Sequence, residues 1–201
     1  MKKIYIVATP IGNLADITLR ALDVLKSVDF IVAEDTRHTG ILLKKYEINA
    51  KLTSFHVKSS ESKSREIFAK MRENDSIAYV SDAGTPTISD PGSKLVEEVL
   101  KEIYPESPLV DLQIVAVPGA SAVTAALSIS GIPASEFTFL GFIPHKKGRE
   151  TLFKEIAAAK RPYVFYESPH RLLKALTSLD TFCPEKNIVI TKEITIAAIS
   201  L

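Results

Sequence analysis

Short apolar runs alternate with amphipathic runs along the first part of the chain. The apolar runs have the length of buried strands, and they predict strands over residues 3–8, 30–33, 51–55, 76–80 and 113–117. In the amphipathic runs apolar side chains recur every three or four positions, as Leu19, Leu22 and Leu25 do. This period is typical of helices with one buried face, and it predicts helices over residues 17–28, 38–46, 61–73 and 91–102. Regular alternation of strand and helix indicates an α/β fold with a largely parallel sheet.

A second alternating series begins near residue 121. It predicts helices over residues 121–130, 150–159 and 170–179, and strands over residues 137–142, 163–166 and 187–191. Gly131 and Pro133 lie between the helix predicted over residues 121–130 and the strand predicted over residues 137–142. Both residue types end helices. We therefore predict an N-terminal α/β domain over residues 1–130 and a C-terminal α/β domain over residues 131–201.

The composition limits both the class of protein and its cellular compartment. Apolar residues make up 46% of the 201 positions, which is enough to bury a core. Cys183 is the single cysteine, so an internal disulfide and a multi-cysteine metal site are excluded. The N-terminal apolar run is shorter than that of a secretion signal, and no run reaches the ~20 apolar residues of a membrane span. We expect a cytoplasmic protein without membrane contact.

Charge is distributed unevenly, although the net charge is only +1. Residues 142–174 contain eight Lys or Arg against three Glu, whereas residues 1–141 carry a net charge of −3. A polyanion is therefore expected to bind the later half of the chain, unless these cations are simply solvated helix faces.

The loops that follow the predicted strands hold most of the side chains capable of chemistry. Ligands of open α/β sheets bind beyond the carboxyl ends of the strands, so a site is expected among residues 9–13, 34–38, 81–92, 118–122 and 167–171. Residues 81–92 contain two glycines, two prolines, two aspartates and four hydroxyl side chains. Residues 117–122 are small, which suits either a ligand against the backbone or a close crossing of strand and helix.

Several common site classes lack their sequence motifs. The chain contains no Gly-x-Gly-x-x-Gly, no P-loop and no His-Glu-x-x-His, so dinucleotide binding, triphosphate hydrolysis and zinc proteolysis have no support. Asp35, Asp82 and Asp90 do not show a recognisable ligand spacing for Mg²⁺. We expect no metal site.

Five strings along the chain resemble a known family. They are residues 5–18 (YIVATPIGNLADIT), 33–40 (AEDTRHTG), 80–86 (VSDAGTP), 90–92 (DPG) and 165–173 (FYESPHRLL). In this order they resemble the ribosomal RNA small subunit methyltransferases I, which belong to the tetrapyrrole methylase superfamily. The resemblance implies transfer of a methyl group from S-adenosylmethionine to the ribose 2′-hydroxyl of a cytidine in the decoding region of 16S ribosomal RNA. It also implies two α/β domains with the methyl donor between them, and a homodimer.

The same resemblance implies residues that hold the methyl donor. Asp82 would bind the amino group of the methionine moiety, the backbone amides of Ala83 and Gly84 its carboxylate, and Tyr166 would lie near the adenine or ribose. The full set implied for the donor pocket is Pro10, Ser81, Asp82, Ala83, Gly84, Thr85, Pro118, Gly119, Ala120, Ser121, Ala122 and Tyr166.

Methyl transfer to a hydroxyl needs in-line alignment and a group that accepts the hydroxyl proton. The candidate bases are Glu34, Asp35, His38, His56 and Glu167, and the sequence does not choose among them. Glu34 or Asp35 is alternatively a structural partner of Arg37, and His56 is alternatively a residue at the edge of a cleft.

Positive side chains near the predicted site are candidates for contact with RNA phosphates. We predict this role for Arg37, Lys146, Lys147, Arg149 and Arg171. An unstacked cytidine is expected to rest on Phe142 or Tyr166, although each of these aromatic residues is equally suited to a core.

The chain departs from the family after residues 192–195 (KEIT), where an apolar tail replaces the family's further helix and strands. We therefore expect a C-terminally truncated second domain with an unpaired sheet edge. Two alternatives stay open: a noncatalytic remnant that binds RNA through its basic stretch, and another methyltransferase of the superfamily that acts on a tetrapyrrole or a modified histidine.

Overall fold

The chain forms two compact units in the computed structural model, which describes residues 2–55, 61–90, 92–103 and 112–195. The first unit is Met1–Ala122 and the second is Val123–Ile194, with Thr195 returning to the first. The sequence places a domain boundary after residue 130, whereas the contacts divide the chain after Ala122, so helix α5 (Ala122–Ile129) lies almost entirely in the second unit.

The first unit is built on a five-stranded sheet in which every neighbouring pair is parallel. Its strands stand in the order β3-β2-β4-β1-β5. They are β1 (Lys2–Val7), β2 (Phe30–Ala33), β3 (Leu52–Ser54), β4 (Ser76–Val80) and β5 (Leu112–Val117). The predicted parallel α/β sheet is therefore confirmed. Because all five strands run the same way, their carboxyl ends lie at one edge of the sheet.

Helices cover both faces of this sheet, and the alternation of side chains along β4 shows how. Ile77 and Tyr79 pack in one apolar cluster with residues of α3 (Glu61–Glu73) and α4 (Gly92–Ile103). Ala78 and Val80 pack in a second cluster with residues of α1 (Leu19–Ser27) and α2 (Thr36–Lys45). Since neighbouring strand residues point to opposite faces, the two clusters are the two sides of one buried sheet.

Besides α5, the second unit contains a parallel pair of strands and two helices that pack on each other. The strands are β6 (Thr138–Phe142) and β7 (Tyr163–Tyr166), and the helices are α6 (Arg149–Ala158) and α7 (Pro169–Phe182). Its core is formed by buried apolar residues that these elements and their flanks supply, namely Ile143, Phe153, Ile156, Ala175, Leu179 and Cys183.

The predicted strand over residues 187–191 is wrong, because these residues form no strand in the structure. Ile188, Val189 and Ile190 are 45%, 42% and 50% exposed. The apolar, β-branched composition favours a strand, but a strand also needs a neighbour that accepts and donates its ladder hydrogen bonds. Among the described residues, the sheet of the second unit consists of β6 and β7 alone.

No helix in the described part of the chain combines the length and the apolar character needed to cross a bilayer.

Candidate active site at the carboxyl ends of the strands

The loops after β1, β4 and β5 meet around Gly84. Thr9 and Gly84 exchange two backbone hydrogen bonds, with N–H to O distances of 2.9 and 3.0 Å. The Thr85 hydroxyl donates to the carbonyl oxygen of Ala120 at 3.0 Å. Gly84 has a φ of 80°, and a Cβ there would lie 3.2 Å from Cγ2 of Ile11 and 3.6 Å from the Ala120 oxygen. Glycine is favoured here, because side chains rarely adopt this backbone conformation and a Cβ would be tight against Ile11.

The loop after β4 is held in an unusual conformation. Thr87 and Ser89 have φ angles of 74° and 65°, which side chains other than glycine rarely adopt. The Asp90 carboxylate fixes the end of the loop, since its Oδ1 accepts from Gly92 N–H at 2.7 Å and lies 3.4 Å from the Tyr79 hydroxyl. Burial raises the pKa of Asp90 and, more strongly, the pKa of the Tyr79 phenol. Strained loop residues held by a rigid surrounding are common at ligand sites.

The loop presents some of its residues to solvent and buries the rest. Ser81 and Gly84 are buried, as is Pro10 after β1, whereas Asp82 and Ala83 are exposed. The Gly84 N–H already donates to Thr9, so it is engaged within the protein. Asp82 and Ala83 are thus exposed directly after β4, as are Ile88 and Ser89 later in the loop.

Asp35, after β2, is committed to the start of α2. Its Oδ1 accepts from Arg37 N–H at 2.8 Å, which caps the helix, and from Arg37 Nε at 3.0 Å. These hydrogen bonds and the Arg37 charge hold the pKa of the Asp35 carboxyl well below its usual range. The structure therefore shows Asp35 as a structural partner of Arg37, which is the alternative to a role as catalytic base. A carboxylate of this kind is a weak base.

Asp82 ties the loop after β4 to the loop after β2. Its Oδ1 accepts from the Asp35 N–H at 3.0 Å, and its own N–H lies 3.4 Å from Oε2 of Glu34. The second carboxylate oxygen, Oδ2, lies 3.4 Å from Nδ1 of His38 on α2. Four polar residues from two neighbouring strand ends therefore form one cluster on the first unit.

Glu167, in the second unit, lies between two arginines. Its carboxylate is 2.5 Å from Nη2 of Arg171 and 3.6 Å from Nη1 of Arg149. The Glu167 side chain is 4% exposed and that of Arg149 is 9% exposed. Arg149 Nη1 also donates to the Pro144 oxygen at 3.1 Å, so this guanidinium is directed inward rather than toward a bound polyanion. Glu167 is thus an ion-pair residue in this structure.

Other predicted RNA contacts lie on the surface. Lys146 and Lys147 are exposed in the turn before α6, and the Arg37 side chain is 86% exposed beside its Asp35 partner. Phe142 is 57% exposed, and its ring centroid lies 5.4 Å from that of the half-buried Tyr166. These side chains give the protein a basic surface and an exposed aromatic ring.

Some residues fall outside these observations. His56, one of the candidate bases, lies outside the described residues. The small-residue turn predicted at Pro118, Gly119, Ala120, Ser121 and Ala122 joins β5 to α5. A Cβ at Gly119 would lie 3.0 Å from the Ala8 Cβ, so this glycine also allows a close crossing of chain segments.

Thr9 and Asp90 hold the loop after β4 by hydrogen bonds, a role that the sequence analysis did not assign to them although it placed both in expected site loops. Thr9 directly follows the end of β1 and Asp90 precedes a proline-glycine pair, so both positions were visible as strand-end and turn positions. No group of three or more His, Cys, Asp or Glu side chains within the described ranges is arranged to hold a metal ion.

Comparison with known proteins shows the family to which the chain belongs. The family described as Tetrapyrrole (Corrin/Porphyrin) Methylases matches residues 3–198. A Thermotoga maritima protein named ribosomal RNA small subunit methyltransferase I is 45% identical over 195 residues, covering 97% of this chain and 84% of that protein. The protein of the same name from Escherichia coli O157:H7 is 46% identical over 96% of this chain, which spans only 65% of that relative.

Among solved structures, diphthine synthase superposes with a TM-score of 0.65 at 12% identity, over 88% of this chain and 72% of that one. At this identity the likeness concerns the fold alone. The chain therefore belongs to the tetrapyrrole methylase family and, within it, to the group named ribosomal RNA small subunit methyltransferase I.

Proposed function

We propose that this chain transfers a methyl group from S-adenosylmethionine to the ribose 2′-hydroxyl of a cytidine in the decoding region of 16S ribosomal RNA. The observation that supports it most is 45% identity over 97% of the chain to a protein named ribosomal RNA small subunit methyltransferase I. The structurally similar diphthine synthase is only 12% identical, so a ribosomal substrate is better supported than a tetrapyrrole or a modified histidine.

The strand-end loops of the first unit suit a zwitterionic methyl donor. The carboxylate of the exposed Asp82 is assigned to its ammonium group, and the backbone amide of the exposed Ala83 to its carboxylate. Gly84 is left out of the second role because its N–H donates to Thr9. A carboxylate accepts several hydrogen bonds, so the bond from Asp35 to Asp82 leaves room for an ammonium group.

Small residues allow the donor to approach the backbone closely. Gly84 and Ala120 approach each other in the folded loops, and Thr85 links the two segments. We assign the remainder of the donor surface to Pro10, Ser81, Thr85, Pro118, Gly119, Ala120, Ser121 and Ala122. The bound donor supplies an electrophilic methyl group on a sulfonium, and these residues orient it and exclude water.

The basic surface of the second unit suits the RNA backbone. Lys146 and Lys147 are exposed within a stretch of net charge +5 over residues 142–174. We assign phosphate contacts to these lysines, to Arg37 and to the partly exposed Arg171, whereas Arg149 is left out because it is buried against Glu167. Phe142 is sufficiently exposed to stack on an unstacked base.

Two further assignments rest on the family alone. We propose that the protein acts in the cytoplasm, where ribosomal subunits are assembled, and that it acts as a homodimer. Sedimentation equilibrium of the purified chain tests the second assignment directly.

Methyl transfer to ribosomal subunits tests the function. The chain is incubated with S-adenosylmethionine carrying a labelled methyl group and small subunits from a strain that lacks the modification, and the labelled nucleotide is mapped. Label on the 2′-oxygen of a decoding-region cytidine is the expected result. Binding of donor and subunits without transfer would contradict the proposal and support a noncatalytic RNA-binding protein.

A further inference from the structure

The structure separates the candidate bases by what already holds them. Asp35 caps α2 and pairs with Arg37, which lowers its basicity. Glu167 is buried between Arg149 and Arg171. Neither carboxylate combines a free lone pair with access to a bound hydroxyl, so the two are poor proton acceptors in this arrangement.

His38 has a different environment from the carboxylates around it. It lies in the first turn of α2 and its side chain is 61% exposed. Nδ1 of its ring faces Oδ2 of Asp82 at 3.4 Å, which leaves Nε2, on the other side of the ring, directed away from that carboxylate. An imidazole with one nitrogen on a carboxylate and the other exposed is the usual arrangement of a general base and its orienting group.

The orienting carboxylate is itself held in place. Asp82 Oδ1 accepts the Asp35 N–H at 3.0 Å, and the Asp82 N–H lies 3.4 Å from Glu34 Oε2. The two strand ends are therefore connected through Asp82, whose carboxylate is held beside the imidazole by its contacts with Asp35 and Glu34. A carboxylate fixed in this way can orient a neighbouring imidazole.

The charged groups around the imidazole are compatible with this role. They are the carboxylates of Glu34, Asp35 and Asp82 and the guanidinium of Arg37, which is engaged with Asp35. A carboxylate on Nδ1 stabilises the imidazolium that forms when Nε2 accepts a proton, as in hydrolase triads.

We propose that His38 is the general base of the methyl transfer and that Asp82 positions it, which rests on the function proposed above. Nε2 accepts the proton of the ribose 2′-hydroxyl as an oxygen lone pair forms the new bond to the methyl carbon. The bond between that carbon and the sulfonium sulfur breaks, and its electron pair returns to sulfur, which becomes a neutral thioether. The imidazolium then releases its proton to water.

Single-turnover methyl transfer to small ribosomal subunits, at saturating donor, tests the role of His38. Proton transfer by a positioned side chain contributes about 10²–10⁴-fold to a rate. His38→Gln is therefore expected to slow the transfer by about 10²-fold or more. Its affinities for S-adenosylmethionine and for subunits should stay within about twofold of the unsubstituted chain. Lys94→Gln, at an exposed lysine on α4 of the first unit, is the control and should keep full activity.

Two additional readouts separate proton transfer from a structural effect. Added imidazole should restore part of the activity of His38→Ala, because the exposed position leaves room for it. Asp82→Asn should slow transfer at saturating donor, since it changes the tautomer that the ring presents.

Each result has a distinct meaning. Transfer by His38→Gln within threefold of the unsubstituted rate would overturn the role of His38 and leave the proposed function standing. Loss of donor or subunit affinity in proportion to the loss of rate would also overturn it, in favour of a structural role. If His56→Gln, rather than His38→Gln, slows the transfer at unchanged affinities, the role of His38 is overturned in favour of His56. No transfer by the unsubstituted chain would overturn the proposed function and this inference together.

Discussion

Gly92 begins α4 directly after the strained loop, and it is the position where we expect the largest effect of one added methyl group. A Cβ at this residue would lie 2.1 Å from Cε1 and 2.7 Å from Cζ of Tyr79, and 2.8 Å from Oδ1 of Asp90. Carbon atoms in contact are normally about 3.5–4.0 Å apart. The Tyr79 ring is fully buried in the core below the loop, so it has no free space to move into.

Two opposing terms determine the size of the effect of Gly92→Ala. Overpacking a core costs about 1–3 kcal/mol, and an overlap of more than an ångström with a buried ring belongs at the upper end. Replacing glycine by alanine in a helix recovers up to about 1 kcal/mol, and less at a first helical residue. We therefore expect Gly92→Ala to lower the free energy of unfolding by about 2 kcal/mol.

Gly40→Ala is the matched control, since the same substitution is made in a helix without the clash. Gly40 lies within α2, and a Cβ there would meet nothing within 4 Å. This variant is expected to raise the free energy of unfolding by about 0.5–1 kcal/mol, through helix propensity and the loss of freedom in the unfolded chain.

Urea unfolding followed by circular dichroism at 222 nm measures both variants under the same conditions. The reasoning is refuted if Gly92→Ala unfolds at the same or a higher urea concentration than the unsubstituted chain. A double-mutant cycle with Tyr79→Leu locates the clash: with the ring removed, the cost of Gly92→Ala should shrink by about 1 kcal/mol or more. Equal costs in both backgrounds would show that the tyrosine ring is not the origin.

Two other predictions concern the buried carboxyl group of the loop and the basic surface. Burial raises the pKa of Asp90, so its contribution to stability is full below the ordinary carboxyl pKa and is lost as pH rises through the raised folded value. Asp90→Asn, which keeps an oxygen acceptor, should gain stability relative to the unsubstituted chain as pH rises, and urea titrations at acidic and neutral pH check the sign. Replacing Lys146 and Lys147 together by alanine should weaken RNA binding and reduce the slope of log affinity against log salt by about 1 for each lost phosphate contact. Filter binding over a salt series measures the slope, and Lys94→Ala, at an exposed lysine of the first unit, should leave it unchanged.

The parallel sheet of the first unit was predictable because its signals are local. Apolar runs of strand length and helices with one apolar face occur in strict alternation, and all five predicted strands are present. The site could also be placed in outline, since ligand loops of such sheets follow the carboxyl ends of the strands. The meeting of Gly84 with Thr9 and of Thr85 with Ala120 could not be read from the sequence, because these contacts join loops far apart in the chain.

The strand predicted over residues 187–191 failed because strand formation also depends on contacts with a distant part of the chain. Ile188, Val189 and Ile190 have the composition of a strand, but strand formation depends on a neighbouring strand that composition cannot supply. A periodic helix makes its own hydrogen bonds within one segment, whereas a strand depends on a second segment. Helices were therefore predicted more safely than the last strand.

The amino-acid sequence was sufficient for the fold class, the family and the loops that carry the chemistry, because motifs and hydrophobic period are properties of neighbouring residues. The chemical state of each candidate depended on folding. Glu167 and Asp35 are both candidate bases in the sequence, yet in the structure one is buried between two arginines and the other caps a helix. His38 gains an orienting partner only because the ends of β2 and β4 lie side by side, which brings Asp82 to its ring. Electrostatic and hydrogen-bonding environments act through space, so the folded chain determines which of several similar side chains can accept a proton.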